Sequence, residues 1–206
     1  MKKIINLTEV CPYTYQDKRE EMAPYFEPLF AKMLAAVPSQ ENPKLVHMLG
    51  IPAAGKSTYY QQHKQDYVDY LFIGFDYIMQ ALPQYQQDLK ILGSVKAFEK
   101  WQIFARVAGY ELLFRGVEQR KNIFFDHTGH PACHVELVRK MCELGYKTKV
   151  IFIPCSVETA QKRAVTRELV TKRHTPPEMI SERYVLIQQR VPQYEAICDE
   201  FVVKIA

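Results

Sequence analysis

The 206-residue sequence predicts an α/β fold built on a doubly wound, mainly parallel sheet flanked by helices. Two observations predict this class. Runs of strand-like composition alternate along the chain with runs of helical periodicity, and such an order implies right-handed crossovers between parallel strands. A glycine-rich turn, GIPAAGKST, also lies between a short apolar run and a stretch without glycine or proline that can propagate a helix.

The first part of the chain is predicted to be helical and then to enter the sheet. Residues 15–37 carry apolar side chains at helical spacing, but two prolines interrupt the pattern, so we expect two helical pieces packed outside the core. Lys44–Leu49 is an apolar run that follows the turn-forming residues SQENP, which predicts the first strand. We therefore divide the chain into an N-terminal helical segment, residues 1–43, and an α/β domain, residues 44–206.

The rest of the chain continues the alternation. After a predicted helix over residues 57–66, strand-like runs cover residues 69–76, 121–126, 147–155 and 200–206. Helical runs cover residues 94–119, 131–146, 156–170 and 176–190. Pro131 and Gly145 mark the two ends of one helix, and Ser156 is the predicted N-cap of the next. In a sheet of this kind, ligands bind at the carboxyl ends of the strands.

Charge and cysteine content narrow the class of protein. The formal net charge of +4 accommodates a phosphate-bearing partner but does not require a long nucleic-acid footprint, so nucleic acid is a disfavoured partner. The five cysteines form no C-x-x-C pair, and their odd number argues against a disulfide framework. This favours a reducing, cytoplasmic compartment. No apolar run approaches the ~20 residues of a membrane span, so no membrane partner is expected.

The glycine-rich turn carries the first functional prediction. Its spacing fits G-x-x-x-x-G-K-[ST], the P-loop pattern, in which backbone N–H groups and a lysine hold nucleotide phosphates. The predicted phosphate-binding residues are Gly50, Ile51, Pro52, Ala53, Ala54, Gly55, Lys56, Ser57 and Thr58. Lys56, expected to be exposed in its loop, would reach the β- and γ-phosphates, and the Ser57 hydroxyl would ligate Mg²⁺. The sequence therefore predicts a P-loop NTPase-like or kinase-like site for ATP and Mg²⁺.

Two carboxylates are predicted to lie at the same edge of the sheet as the P-loop. Asp76 and Asp126 each end a strand-like run. Phosphoryl transfer requires a group that orients and deprotonates the attacking hydroxyl, and a metal ion that bridges the β- and γ-phosphates. Either aspartate can be the base while the other holds the metal ion, and their positions in the strand order do not separate the two roles.

Basic side chains cluster at the end of the helix over residues 156–170. Arg163 and Arg167 are four residues apart and share a helix face, and Lys172 and Arg173 follow. Such a cluster can form a lid whose guanidinium groups bind ATP phosphates and stabilise the transferring charge. The alternative is a solvated basic surface, which is common on helices.

In this order the motifs resemble the zeta-toxin family of P-loop kinases, from about Lys44 to the C-terminus. The segments that carry the resemblance are GIPAAGKST, FIGFDYIMQALPQYQQ, NIFFDHTG, LGYKTKVIFIPCSVETAQKRAVTRE and RHTPPE. It implies that the protein uses ATP and Mg²⁺ to phosphorylate a sugar hydroxyl of UDP-N-acetylglucosamine, and that a small antitoxin protein restrains it. In this resemblance, Lys56 matches the P-loop lysine and Ser57 the metal-binding hydroxyl. Asp76 matches the catalytic base, and Arg167 and Arg173 match two phosphate-binding arginines.

The resemblance also assigns acceptor-binding residues. Asp126, which is kept as a candidate Mg²⁺ ligand, and Thr128 fall on the stretch that lines the sugar site, and His130 is a further candidate there. The chain departs from the family in this stretch, because His127 replaces a common glycine and His130 a frequent arginine. The acceptor is therefore less determined than the nucleotide. Glu111, on the long helix, is a candidate acceptor contact that rests on a looser match, and the favoured alternative is an exposed helical glutamate.

Three other interpretations are open. A nucleoside or polynucleotide 5′-hydroxyl kinase would share the P-loop, the aspartate and the arginines, since the fold does not fix the acceptor. A non-catalytic nucleotide-binding module would share only the P-loop, and the sequence lacks the N-K-x-D motif that reads guanine. The stretch DHTGHPACH offers His127, His130, Cys133 and His134 as zinc ligands, although the last two are sequence neighbours that point in different directions. His47, inside the first strand, is predicted as a core histidine.

Overall fold

The structure is a computed structural model that describes residues 19–171 and 174–205. Within those ranges the strands are β1 (Lys44–Leu49), β2 (Tyr70–Gly74), β3 (Asn122–Asp126), β4 (Lys147–Phe152) and β5 (Glu200–Val203). The α-helices are α1 (Arg19–Ala35), α2 (Lys56–His63), α3 (Phe75–Gln80), α4 (Pro83–Glu118), α5 (Ala132–Glu143), α6 (Val157–Thr171) and α7 (Pro177–Glu195). A short 3-10 helix, Lys64–Tyr67, follows α2. None of these helices is both long and apolar enough to cross a membrane.

The strands form one parallel sheet with the order β2-β3-β1-β4-β5. β1 lies at the centre, and the chain adds β2 and β3 on one side before it crosses to add β4 and β5 on the other. This is the doubly wound arrangement that the sequence predicts. Where the strand order reverses around β1, such sheets leave a crevice at the carboxyl ends of their strands.

The register of the sheet brings three chain segments to one edge. Asp126, the last residue of β3, lies opposite Met48 of β1 and Gly74 of β2. The P-loop begins at Gly50, directly after the end of β1, and Asp76 lies two residues beyond the end of β2. Neighbouring strands are about 4.8 Å apart. Segments that are distant in sequence therefore enter one site.

One helix forms where the sequence predicted two. α1 runs without interruption from Arg19 to Ala35, with Pro24 and Pro28 inside it. Each proline removes a backbone hydrogen bond, but Phe26 and Phe30, one turn apart, are fully buried in the same apolar core as the sheet. Burial of this face outweighs the two lost hydrogen bonds. Residues 15–18, with which the predicted helical segment begins, lie outside the described residues.

Two helix boundaries beside the site also differ from the predictions. β2 ends at Gly74, and Asp76 lies in the first turn of α3 instead of at the end of a strand. α4 begins at Pro83, earlier than predicted, and Gly93 interrupts its regular geometry with φ 80° and ψ 171°. Proline at the start of a helix has a suitable φ, and glycine adopts a positive φ without a steric penalty. Local backbone chemistry thus explains the boundaries of α4.

Other helix ends follow their predicted signals. Ser156 caps α6, since its Oγ accepts a hydrogen bond from the Thr159 amide at 3.2 Å. Gly145, with φ 80°, lies just beyond the end of α5. These ends are specified by the residues at the helix termini themselves.

Candidate active site

Two glycines shape the P-loop. Gly50 lies so close to the chain that follows β4 that a Cβ there would be 2.7 Å from the Ile153 carbonyl oxygen. Gly55, at φ 113°, precedes α2, and Ala53 also has a positive φ of 61°. Left-handed residues that alternate with right-handed ones turn successive N–H groups toward one point and form an anion-binding concavity. The loop therefore has the shape that phosphate binding requires, and α2 starts from it.

Lys56 is held inside this loop. Its Nζ donates hydrogen bonds to the carbonyl oxygens of Gly50, at 2.8 Å, and Ile51, at 3.0 Å. The residue is only 9% exposed, so the expectation of an exposed lysine is wrong. Because the side chain bridges two carbonyls of the loop, it stabilises the loop conformation and also supplies a positive charge to the site.

Ser57 and Asp126 bring a hydroxyl and a carboxylate together. Ser57 Oγ donates to Asp126 Oδ2 at 3.4 Å. Burial raises the pKa of Asp126 above its usual range, while the charge of Lys56 and the hydrogen bond from Ser57 act in the opposite direction. Oxygen ligands of this kind fit Mg²⁺, which takes few ligands from the protein and completes its shell with water and phosphate oxygens.

These groups line a cavity of about 1160 Å³. The P-loop and the end of β3 form one wall, α3 and α4 another, and α6, α7 and the segment between them a third. The predicted site residues that line the cavity are Pro52, Ala53, Gly55, Lys56, Ser57, Thr58, Asp76, Asp126, Thr128, His130, Arg163 and Arg167. A cavity of this volume is large enough for a nucleotide and a small second substrate.

The other predicted residues lie elsewhere. Three P-loop residues do not line the cavity: Gly50, Ile51 and Ala54. Glu111 is also absent from the lining, because Arg115 Nε holds its Oε1 at 2.7 Å and at the same time pairs with Glu27 of α1. We therefore leave Glu111 out of the proposed site. Arg173, like Lys172, lies outside the described residues, so its role stays a prediction.

Arg163 and Arg167 reach the cavity from one face of α6. Arg163 Nη1 donates to the Ala54 carbonyl of the P-loop at 3.1 Å. Arg167 Nη2 donates to Thr175 Oγ1 at 2.5 Å, and its Nε is buried without a hydrogen-bond partner among the described residues. Burial lowers the pKa of Arg167, and the charge of Glu168 opposes that effect. A buried guanidinium with an unused donor is suited to bind an anionic oxygen.

Sequence reasoning missed polar residues on two helices. Gln102 and Arg106 line the cavity from α4, and Arg106 Nη2 donates to Gln102 Oε1 at 3.0 Å. Arg183 lines it from α7. Arg106 carried a usable signal, because it is the single charged residue in the run WQIFARVAGY, and charged side chains are rarely buried without a polar partner. Arg183 lies among other polar residues and carried no such signal.

The cavity is strongly positive. The cationic side chains that line it are Lys56, Lys64, Arg106, Arg163, Arg167 and Arg183. Asp76 and Asp126 are the carboxylates of the lining. Among the described residues, the lining thus has six cationic side chains and two carboxylates, an excess of four positive charges. Such an excess attracts an anion into the cavity.

Four histidines cluster beside the cavity. The rings of His127 and His134 lie 4.2 Å apart, and those of His47 and His134 lie 5.6 Å apart. Tyr110 Oη lies 2.6 Å from His134 Nε2, His130 stacks on His127 at 5.8 Å, and His47 is fully buried in β1, as predicted. Throughout residues 19–171 and 174–205, no group of three His, Cys, Asp or Glu side chains is arranged to hold a metal ion. The zinc alternative therefore finds no support in that part of the chain.

Burial of these imidazoles makes folding pH-dependent. Burial lowers the pKa of His47 to about 4, and burial also lowers the pKa of His127 and His134. Because each folded pKa is below the unfolded value, stability is complete above that value and is lost as the pH falls through 6.5 toward 4. His47 alone should lower the free energy of unfolding by about 2 kcal/mol at pH 5 relative to pH 7.5.

Urea unfolding between pH 7.5 and 5 measures this loss. His47→Gln should flatten the pH dependence, because it removes a buried group that titrates. An equal slope in His47→Gln and the wild type would show that the titrating groups lie elsewhere.

Known proteins resemble this chain in sequence and in fold. The sequence model of a family described as Zeta toxin matches residues 30–205. A chain in the structure of the PezAT chromosomal toxin–antitoxin system of Streptococcus pneumoniae is 16% identical, with 95% of this chain and 80% of that chain covered and a TM-score of 0.71. A chain of the AvrRxo1-ORF1:-ORF2 complex is 13% identical, with 83% and 57% covered and a TM-score of 0.63. No curated protein matches the sequence.

The similarity to the two solved structures shows the fold, and the match to the family model shows to which family the chain belongs. The matched region contains the P-loop, both cavity aspartates and the arginines of α6. It also begins inside α1, so the match takes in part of the segment that precedes the sheet. Since the match spans most of the sequence, the chain belongs to the zeta-toxin family of P-loop kinases.

Proposed function

We propose that the protein transfers the γ-phosphate of ATP to a hydroxyl group of a small anionic acceptor, with a UDP-N-acetylamino sugar favoured. The observation that carries the proposal is the meeting of the P-loop, Asp76 and Asp126 around one positively charged cavity. Phosphoryl transfer depends on positioning and on charge neutralisation more than on covalent chemistry. The cavity offers groups for both tasks.

On the ATP side, the P-loop amides and Lys56 bind the β- and γ-phosphates. Lys56 exchanges its hydrogen bonds to the loop carbonyls for phosphate oxygens, Arg163 secures the loop through Ala54, and Arg167 offers its unused donors to the transferring phosphoryl group. Ser57 and Asp126 would hold Mg²⁺, which would supply charge neutralisation to the phosphate groups. Arg173 is kept as a candidate second phosphate-binding arginine.

On the acceptor side, Asp76 is the proposed general base. It lies half-buried in the first turn of α3, where it lines the same cavity as the P-loop. A carboxylate there can accept the proton of the attacking hydroxyl as the bond to phosphorus forms. Thr128 and His130, whose Oγ1 and Nδ1 lie 2.6 Å apart, are the proposed acceptor contacts at the end of β3.

The charge of the cavity favours an acceptor with phosphate groups of its own. ATP with one Mg²⁺ carries about two negative charges, whereas the lining has an excess of four positive charges. The remaining two match a nucleoside diphosphate sugar and leave a neutral nucleoside less well bound. Arg106 and Arg183 supply this charge on the walls formed by α4 and α7.

Incubation with γ-labelled ATP and a panel of acceptors tests the function. We expect label on UDP-N-acetylamino sugars, with much weaker labelling of the corresponding nucleosides and of 5′-hydroxyl oligonucleotides. Labelling of oligonucleotide ends alone would replace the sugar with the polynucleotide alternative. Binding of ATP without transfer to any member of the panel would favour a non-catalytic module.

We further propose that a small antitoxin protein binds this chain. The support is the family match together with the PezAT system, which is described as a toxin–antitoxin pair. Co-expression with an antitoxin protein of the PezAT type, followed by size-exclusion chromatography, tests whether a stable complex forms.

A further inference from the structure

Glu168 connects two walls of the cavity. On α6 it directly follows Arg167, and its Oε1 accepts a hydrogen bond from Ser94 Oγ of α4 at 3.0 Å. His174 Nδ1 lies 3.0 Å from both carboxylate oxygens of Glu168. One carboxylate thus holds together α4, α6 and residues 174–176, which are the described segment before α7.

Its neighbour Arg167 is attached to the same segment. Arg167 Nη2 donates to Thr175 Oγ1, and Thr175 follows His174 directly. His174 in turn packs edge to face on Phe98 of α4, at 6.1 Å, and both rings line the cavity. Arg167 and Glu168 of α6 therefore bind Thr175 and His174, respectively, and both members of the Arg167–Thr175 pair line the cavity.

We infer that Glu168 is a positioning residue that fixes the Arg167 guanidinium in the cavity for phosphoryl transfer. This inference rests on the proposed function, in which Arg167 contacts the transferring group. Glu168 acts through Arg167, by way of the wall that it ties to α4, and it needs no contact with a substrate. Gly93 interrupts α4 immediately before Ser94, so the hydrogen bond from Ser94 fastens the helix to Glu168 just after this interruption.

Charge supports the same role. Burial disfavours the charged form of Arg167, and the carboxylate of Glu168 opposes that effect. Burial also disfavours the charged form of Glu168, but hydrogen bonds from His174 and Ser94 hold the pKa of Glu168 below its usual range. The negative charge that favours a charged Arg167 is therefore itself held in place by α4 and His174.

Kinetics of Glu168 variants test the inference. Glu168→Ala should lower kcat by about 10-fold to 100-fold, the range for a misplaced catalytic group, with a much smaller change in KM for ATP. Glu168→Gln keeps an acceptor for Ser94 but removes the negative charge, so it should lower kcat less than Glu168→Ala does. The matched control is Glu158→Ala on the same helix, where Glu158 forms an exposed ion pair with Lys162 and should leave kcat unchanged.

A double-mutant cycle with Arg167→Ala separates positioning from general support of the fold. If Glu168 acts through Arg167, adding Glu168→Ala to Arg167→Ala should lower kcat no further. Multiplicative losses, or a Glu168→Ala variant with wild-type kcat while Arg167→Ala is impaired, would overturn the inference and leave the proposed function standing. Wild-type kcat in Arg167→Ala would instead remove the proposed role of Arg167 itself, and the inference with it.

Discussion

Replacement of Lys56 by alanine is expected to abolish ATP-dependent phosphotransfer. Lys56 is the first residue of α2, where the helix leaves the P-loop. Removal of one preorganised donor to a reacting oxyanion costs about 10²–10³-fold in kcat. The structure adds a second effect. Two carbonyls of the P-loop lose their hydrogen-bond donor, so the free energy of unfolding should fall by about 1–2 kcal/mol.

Turnover with labelled ATP and urea unfolding measure the two effects separately. Lys44→Ala is the control, since Lys44 is exposed at the start of β1, at the opposite end of the strand from the P-loop. It should change neither activity nor stability appreciably. Wild-type turnover in Lys56→Ala would discard the P-loop assignment, and unchanged stability would show that the loop keeps its conformation without the lysine.

Asp76→Asn is expected to lower kcat by about 10²–10⁴-fold while ATP binds at close to wild-type affinity. Asparagine keeps the shape and the hydrogen-bonding capacity of the side chain but cannot accept a proton at neutral pH. The expected loss is the range for general-base catalysis. Equilibrium titration with ATP and single-turnover kinetics separate binding from transfer. Asp69→Asn, exposed just before β2, is the matched control.

Asp126→Asn should give a different result. Asp126 lies against Ser57, so its loss should raise the Mg²⁺ concentration needed for half-maximal rate. Equal effects of the two substitutions on Mg²⁺ dependence would contradict the assignment of base and metal ligand to different aspartates.

In bacteria, induction of the wild-type chain should arrest growth, and induction of the Asp76→Asn chain should not. If both chains are harmless and the wild type transfers phosphate efficiently to a nucleoside, the nucleoside-kinase alternative is favoured.

Much of the fold and the nucleotide half of the candidate site are predictable because their signals are local. The spacing from Gly50 to Ser57 fixes the P-loop pattern, and strand-like and helical periodicity fixes the order of elements around it. Ser156 and Gly145 mark helix ends through contacts within a few residues of themselves. None of these features depends on a distant part of the chain.

The tertiary structure decides what distant segments do to one another. From the sequence, Lys56 is expected to be exposed in its loop, but in the structure it bridges two buried carbonyls. Glu111, a candidate acceptor contact from the sequence, pairs with Arg115. Arg106 and Arg183 join the cavity from helices far apart in sequence. Helical periodicity shows which side chains share a face, but only packing decides what that face meets. The sequence by itself therefore determined a P-loop kinase fold, and only the tertiary structure decided which of the described side chains line the cavity beside the P-loop.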